Sequence, residues 1–137
     1  MDQTEDRIST YAASLNYTDL TQEALHSVKR SLIDSLGCAL GAFTAEPVKI
    51  ARRLAGHVTS DMPATVLGTS IRTTPEMATF VNGSMVRYLD FNDDYIRNDG
   101  PHPSDNIAAI FAICEAVHAD GKSLACGIAL AYEIEGQ

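Results

Sequence analysis

Between Arg87 and Asp105 the chain gathers five aspartates, two arginines and one histidine, all but Arg87 in the run LDFNDDYIRNDGPHPSDN that starts at Leu89. Carboxylates next to an imidazole are the residue types that move protons near neutral pH. Proline stiffens the segment. Pro103 biases His102 away from the helical region, Pro101 does the same to Gly100, and each proline fixes its own φ, so the imidazole is mounted on backbone with little freedom. Asp90 and His102 are therefore candidates for acid–base work, and Pro101 and Pro103 for holding the loop.

Other readings of the same residues are weaker or less specific. Asp90, Asn92 and Asp94 imitate the start of a calcium loop. However, Tyr95 stands where the sharp turn needs glycine, and Pro101 where the bidentate glutamate belongs. No second histidine lies near His102 to suggest zinc; His26, His57 and His118 are distant in sequence. On residue types alone, a surface loop of Asp caps and turns accounts for the aspartates as well as an active site does.

LDFNDDY followed by HPSDN resembles the signature of the MmgE/PrpD family, whose members include dehydratases, decarboxylases and an epimerase acting on small polycarboxylates. The pair is more similar to the 2-methylcitrate dehydratase branch than to the decarboxylases. SLIDSLGCALGA, FVNGSMVRYLDF and ALAYEIEGQ also resemble that family's N-terminal helical region, so the likeness runs from about Leu32 onward. It implies an all-α fold, the N-terminal part of a larger helical domain. It also implies a metal-independent elimination with no cofactor, in which a hydroxy-tricarboxylate such as 2-methylcitrate loses water within the 2-methylcitrate cycle. Asp90 and His102 match the family's active-site motif positions. Asp93 matches as well, and bracing the loop through backbone N–H groups is an equally good role for it. A homodimer is the assembly implied for the complete protein. The alternatives are an epimerase, isomerase or decarboxylase of the same family, or a non-catalytic helical interaction module.

The motif departs from the family at one position. Where LDFND is usually followed by Thr, this chain has Asp94, which when ionised accepts hydrogen bonds only and repels a substrate carboxylate. Asp94, Ser104 and Arg97 are the expected substrate-contacting positions, with Arg87 a further cation nearby. From Arg87 to Asp105 the net charge is −3 with His102 counted neutral. A tricarboxylate therefore needs cations from sequence beyond these residues, and the 137 residues alone are expected to lack turnover.

The elements that must position this loop read as helices. Leu25, Val28, Leu32, Leu36, Ala39 and Phe43 fall on one stripe after the candidate cap Thr21, predicting a helix over 21–43. Gly37 and Gly41 on that helix suggest close packing. Pro47 opens a second helix that uses Ile50, Ala51 and Leu54 and ends near Gly56. Residues 65–67 suit a short extended segment. Thr74-Pro75 starts a helix over 75–89 that delivers Asp90 to the loop. Ser104 or Asp105 would cap the next, over 105–119, whose IAAIFAIC run is apolar all round and hence expected to be buried, with Gly121 as its stop. A last helix over 123–137 carries Leu124, Ile128 and Ala131 on one face and is expected to run into the chain end, leaving apolar surface prone to associate. No repeat or linker divides the chain, so a single partial domain is expected.

Composition narrows the partners. With 10 basic against 18 acidic residues the net charge is −8, and the basic residues form no stripe, which argues against nucleic acid. There is no apolar run of membrane-spanning length, and the acidic start MDQTEDRIST resembles neither a signal nor a transit peptide, so a cytoplasmic location is expected. Cys38, Cys114 and Cys126 share no CxxC spacing. Reduced thiols in helical packing are the expectation, rather than iron–sulfur ligands.

Overall fold

The computed structural model describes residues 2–94, 100 and 102–136. Among these lie six α-helices and one two-stranded hairpin: α1 (Gln3–Ser14), α2 (Gln22–Gly41), α3 (Glu46–Ala55), β1 (Ala64–Thr65), β2 (Arg72–Thr73), α4 (Pro75–Arg87), α5 (Ile107–Ala116) and α6 (Gly121–Glu135). The fold is mostly α. Short 3₁₀ turns occupy Tyr17–Asp19 and Pro103–Asn106. No helix is long and apolar enough to cross a membrane among the described residues.

Capping residues set several helix starts. The Thr21 hydroxyl accepts from the Ala24 N–H at 3.1 Å, the Thr74 hydroxyl from Met77 at 3.3 Å, and the Asp120 carboxylate from Ser123 at 2.9 Å. Each satisfies an N–H that the helix itself leaves free. Helix α4 lies at the centre, packed on α2, α3 and α5, while α6 packs on α2 and α5. The main core joins Ala39 and Ala42 from α2 and its end, Val48, Ala51 and Ala55 from α3, Val66 from the hairpin, and Val81, Met85 and Val86 from α4. A second cluster unites Val28, Ile107 and Ile128, with Leu32, Leu124 and Tyr132 packed against it.

Several expectations need correction. Helix α3 buries Val48, Ala51 and Ala55, whereas Ile50 and Leu54 face outward. The inner face of α3 is Val48 and two alanines packed with α4, so the larger hydrophobic side chains do not mark it. Helix α5 is not buried all round: Ile107, Ala108, Ala112 and Ala116 are inside, and Ile113 and Val117 are exposed. Gly121 does not stop α5. The helix ends at Ala116 in a Schellman turn, in which His118 donates to Glu115 at 3.1 Å and Ala119 to Cys114 at 2.8 Å, with His118 at φ 55° where glycine is usual. Gly121 is instead the first residue of α6, after its cap Asp120. Of the two α2 glycines, only Gly41 meets the packing reading; a Cβ there would sit 2.9 Å from the Leu89 side chain, while nothing lies within 4 Å of one at Gly37.

Two elements have no counterpart in the sequence reading. Helix α1 buries no residue, so no apolar stripe marks it. Strand β2 pairs antiparallel with β1 in the register Ala64 to Thr73 and Thr65 to Arg72. The extended segment expected at 65–67 is thus half of a hairpin. Its turn uses Gly68 at φ 73°, beside a Phe43 ring that would lie 2.9 Å from a Cβ there.

Candidate active site

The loop begins where α4 ends. The Tyr88 N–H closes the helix onto Ser84, and the Asp90 N–H then donates to the Arg87 carbonyl at 3.1 Å. This turn places Asp90 at φ 54°, a left-handed conformation that non-glycine residues adopt at a cost and that Asp tolerates better than most. The Asp90 side chain is 75% exposed and ion-paired with the Arg87 guanidinium. That hydrogen bond and charge hold its carboxyl below the usual carboxylate range, with a smaller contribution from His102.

Arg87 has further partners. Its Nη1 reaches the Asn92 Oδ1 at 3.4 Å, and its Nε lies 3.6 Å from an Asp105 carboxylate oxygen. Asn92 is buried and donates through Nδ2 to the Ser104 hydroxyl at 2.9 Å and to Asp105 at 3.1 Å. Arg87, Asn92, Ser104 and Asp105 thus form one hydrogen-bonded hub that ties the end of α4 to the Pro103–Asn106 turn. Arg87, a possible substrate cation by sequence, directs its guanidinium into this hub. The sequence reading passed over Asn92, seen only as part of a false calcium pattern.

The opposite wall of the loop is built around Asp93. Its carboxylate accepts from the Ser104 N–H at 3.2 Å, the bracing role set out as one of its two options. Its backbone carbonyl lies 2.5 Å from His102 Nδ1. A carbonyl can only accept, so Nδ1 must carry the proton in this contact, and in the neutral ring Nε2 is left with its lone pair. His102 has φ −110° and ψ 81°, outside the helical region as Pro103 requires, and Pro103 is buried as the first residue of the 3₁₀ turn.

Ser104 is buried, with its N–H and hydroxyl both engaged, and neither it nor Asp105 caps α5 through its side chain. The expected cap is replaced by the 3₁₀ turn. Asp94 is exposed, and its Oδ1 sits 2.8 Å from where a Cβ on Gly100 would be; Gly100, at φ 60°, is thus required both by conformation and by this contact. Arg97 and Pro101 lie outside the described residues.

Beneath the loop, the Tyr132 hydroxyl of α6 is buried and completes no hydrogen bond, although Asp93 and Ser31 are close enough to act on it. Burial first, and the Asp93 carboxylate second, push its phenol above the usual range. Burial likewise raises the Cys38 thiol, with Asp34 and Asp93 adding to it. Beside the hub, Thr79, Phe80, Gly83, Ser84, Arg87, Tyr88 and Asp105 line an open cleft of about 480 Å³. Among the described residues, no three His, Cys, Asp or Glu side chains converge as metal ligands would.

This arrangement fixes Nδ1 of His102 on a carbonyl and leaves Nε2 open near an ionised carboxylate, which is suited to proton transfer. Comparison with known proteins agrees with the motif. A 2-methylcitrate dehydratase from Salmonella typhimurium is 30% identical over 89% of this chain and 28% of its own length. One from Escherichia coli K12 is 33% identical over 74% of this chain and 21% of its own. Human cis-aconitate decarboxylase is 28% identical over 94% of this chain and 27% of its own. The matched stretch thus spans 21–28% of the length of these relatives. The profile of the MmgE/PrpD N-terminal domain matches residues 6–137, and with the helical fold and the Asp90–His102 loop in place, the chain belongs to the MmgE/PrpD family.

Proposed function

We propose that the complete protein is a metal-independent hydro-lyase that removes water from a hydroxy-tricarboxylate, with 2-methylcitrate as the leading substrate, and that this loop supplies its acid–base groups. The contact between His102 Nδ1 and the Asp93 carbonyl carries the reading. It leaves Nε2 as the acceptor for a carbon-bound proton. The electron pair of that C–H bond forms the alkene, and the C–O bond breaks with the hydroxyl leaving as water after protonation. An ionised Asp90 can only accept, so the proton on the departing hydroxyl comes from another donor. Asp90 instead favours the imidazolium that forms when His102 takes its proton.

The relatives named as 2-methylcitrate dehydratases support the substrate class. The metal-independent route is what the family resemblance implies; the three thiols lie on the separate helices α2, α5 and α6 and form no common ligand set among the described residues. Asp94 at the usual Thr position favours a substrate that keeps its carboxylates away from that edge of the loop.

The test is product analysis with the complete enzyme on 2-methylcitrate in deuterated water. An unsaturated tricarboxylate is expected, along with loss of a carbon-bound proton. Deuterium exchange or inversion without an alkene would identify an epimerase, and release of carbon dioxide a decarboxylase.

A further inference from the structure

We propose that Arg87 is a positioning residue for the candidate catalytic carboxylate: it does not bind substrate, but holds Asp90 in its left-handed conformation and ties it to the loop's buried hub. The proposal rests on the functional reading above for its catalytic consequence. Its structural part stands on the contacts themselves.

Arg87 holds Asp90 at two points, since its carbonyl accepts the Asp90 N–H at 3.1 Å and its guanidinium pairs with the Asp90 carboxylate. A non-glycine residue at φ 54° persists only where its surroundings over-determine it, and both contacts come from the same residue three positions earlier. The rest of the guanidinium is fixed from the other side, by Asn92 Oδ1 at 3.4 Å and Asp105 at 3.6 Å. Asn92 is itself anchored on the buried Ser104. The chain of contacts therefore runs from the buried floor of the loop, through Arg87, to an exposed carboxylate that no other side chain among the described residues contacts.

Charge gives the same direction. Among the described residues, the charged or titratable groups facing Asp90 are Arg87 from α4 and His102 from the start of the 3₁₀ turn, while Asp105 from that turn faces Arg87. Two carboxylates share one guanidinium, which leaves it little positive field for a third carboxylate on a substrate. Although Arg87 also borders the open cleft, its Nη1 and Nε are engaged by Asp90, Asn92 and Asp105. Arg87 also sits in the last turn of α4, where the helix dipole favours a cation and helps keep it in place.

The test compares Arg87→Met and Arg87→Lys in the complete enzyme with wild type and Asp90→Asn, following turnover and the titration of the Asp90 carboxyl by NMR of labelled aspartate. Arg87→Met is expected to lower kcat by about tenfold or more with KM changed less than about threefold, the pattern of a group acting on the reacting residue. Arg87→Lys should recover part of kcat, because it restores the charge without the fork. The Asp90 carboxyl should titrate below its ordinary range in wild type and return towards it in Arg87→Met. A raised KM with unchanged kcat would make Arg87 a substrate ligand and overturn the proposal, as would an Asp90 titration that is ordinary in wild type. The second of these needs no folded variant. Full turnover in Asp90→Asn would instead remove Asp90 from the reaction while leaving the NMR result to judge Arg87's hold.

Discussion

Two buried asparagines do similar work in different ways. Asn82 of α4 is 1% exposed and bonds only to backbone, accepting from the Leu67 N–H at 2.9 Å and donating to the Thr65 carbonyl at 3.0 Å. It fastens the hairpin to the central helix. Asn92 is 6% exposed and, among the described residues, its side chain bonds only to side chains, those of Ser104, Asp105 and Arg87. A clamp on backbone groups fixes the path of the chain, whereas a clamp on side chains fixes the orientation of chemical groups. The first region is expected to answer to mutation in stability, and the second in function.

Asn82→Ala should break the comparison most severely on the stability side. It leaves one half-buried N–H and one half-buried carbonyl without partners, at a cost of about 3 kcal/mol. Denaturant unfolding of the variant measures it, and a loss under about 1 kcal/mol would show that the hairpin is held by packing instead. Asn92→Ala should cost less, about 1–2 kcal/mol, because the half-exposed Asp105 keeps access to water and the buried Ser104 hydroxyl loses only an incoming donor while its own O–H stays free to rotate. Its turnover should fall by more than the stability loss accounts for; equal effects on both would erase the distinction between the regions.

Thr74→Ala tests the start of the helix that serves both clamps. Losing the bond to the Met77 N–H should cost about 1 kcal/mol and move the unfolding midpoint without altering KM. The smallest effect is expected for Tyr132→Phe beneath the loop, within about 1 kcal/mol at neutral pH, since its hydroxyl has no bond to lose. Its pH dependence is more telling. The folded phenol is raised above its ordinary value of 10, so the stability it supports is intact below pH 10 and is lost as pH rises beyond it. Stability measured from pH 8 to 11 should fall more steeply in wild type than in Tyr132→Phe, and parallel curves would refute the assignment.

The contrast between the clamps also explains what could be read from the sequence. Helices α2 and α4 were legible because Thr21 and Thr74-Pro75 are local cap signals followed by periodic apolar residues. The inner face of α3 was not, because the choice of Val48, Ala51 and Ala55 over Ile50 and Leu54 depends on how near α4 stands. His118 at the end of α5 escaped for a related reason: a left-handed position filled by histidine carries none of glycine's signal. In the loop, the prolines around His102 announced a restrained imidazole. The partner of that imidazole is a backbone carbonyl, that of Asp93, which no side-chain pattern reveals. Glu115 illustrates the same limit; it accepts from the Thr65 N–H at 2.7 Å and hydroxyl at 2.5 Å, across fifty positions of sequence.

The central claim is that the loop carrying His102 performs proton transfer. Its most direct test is the turnover of His102→Ala in the complete enzyme, measured beside its thermal unfolding. The ring is half-buried and, among the described residues, bonds to the Asp93 carbonyl alone, so its loss should move the unfolding midpoint by only a few degrees, about 1 kcal/mol. A kcat lowered by about 10²- to 10⁴-fold in a folded variant is the result expected for a positioned acid–base group. A kcat near that of wild type, with an unchanged pH profile, would contradict the account and leave the loop a structural or binding role.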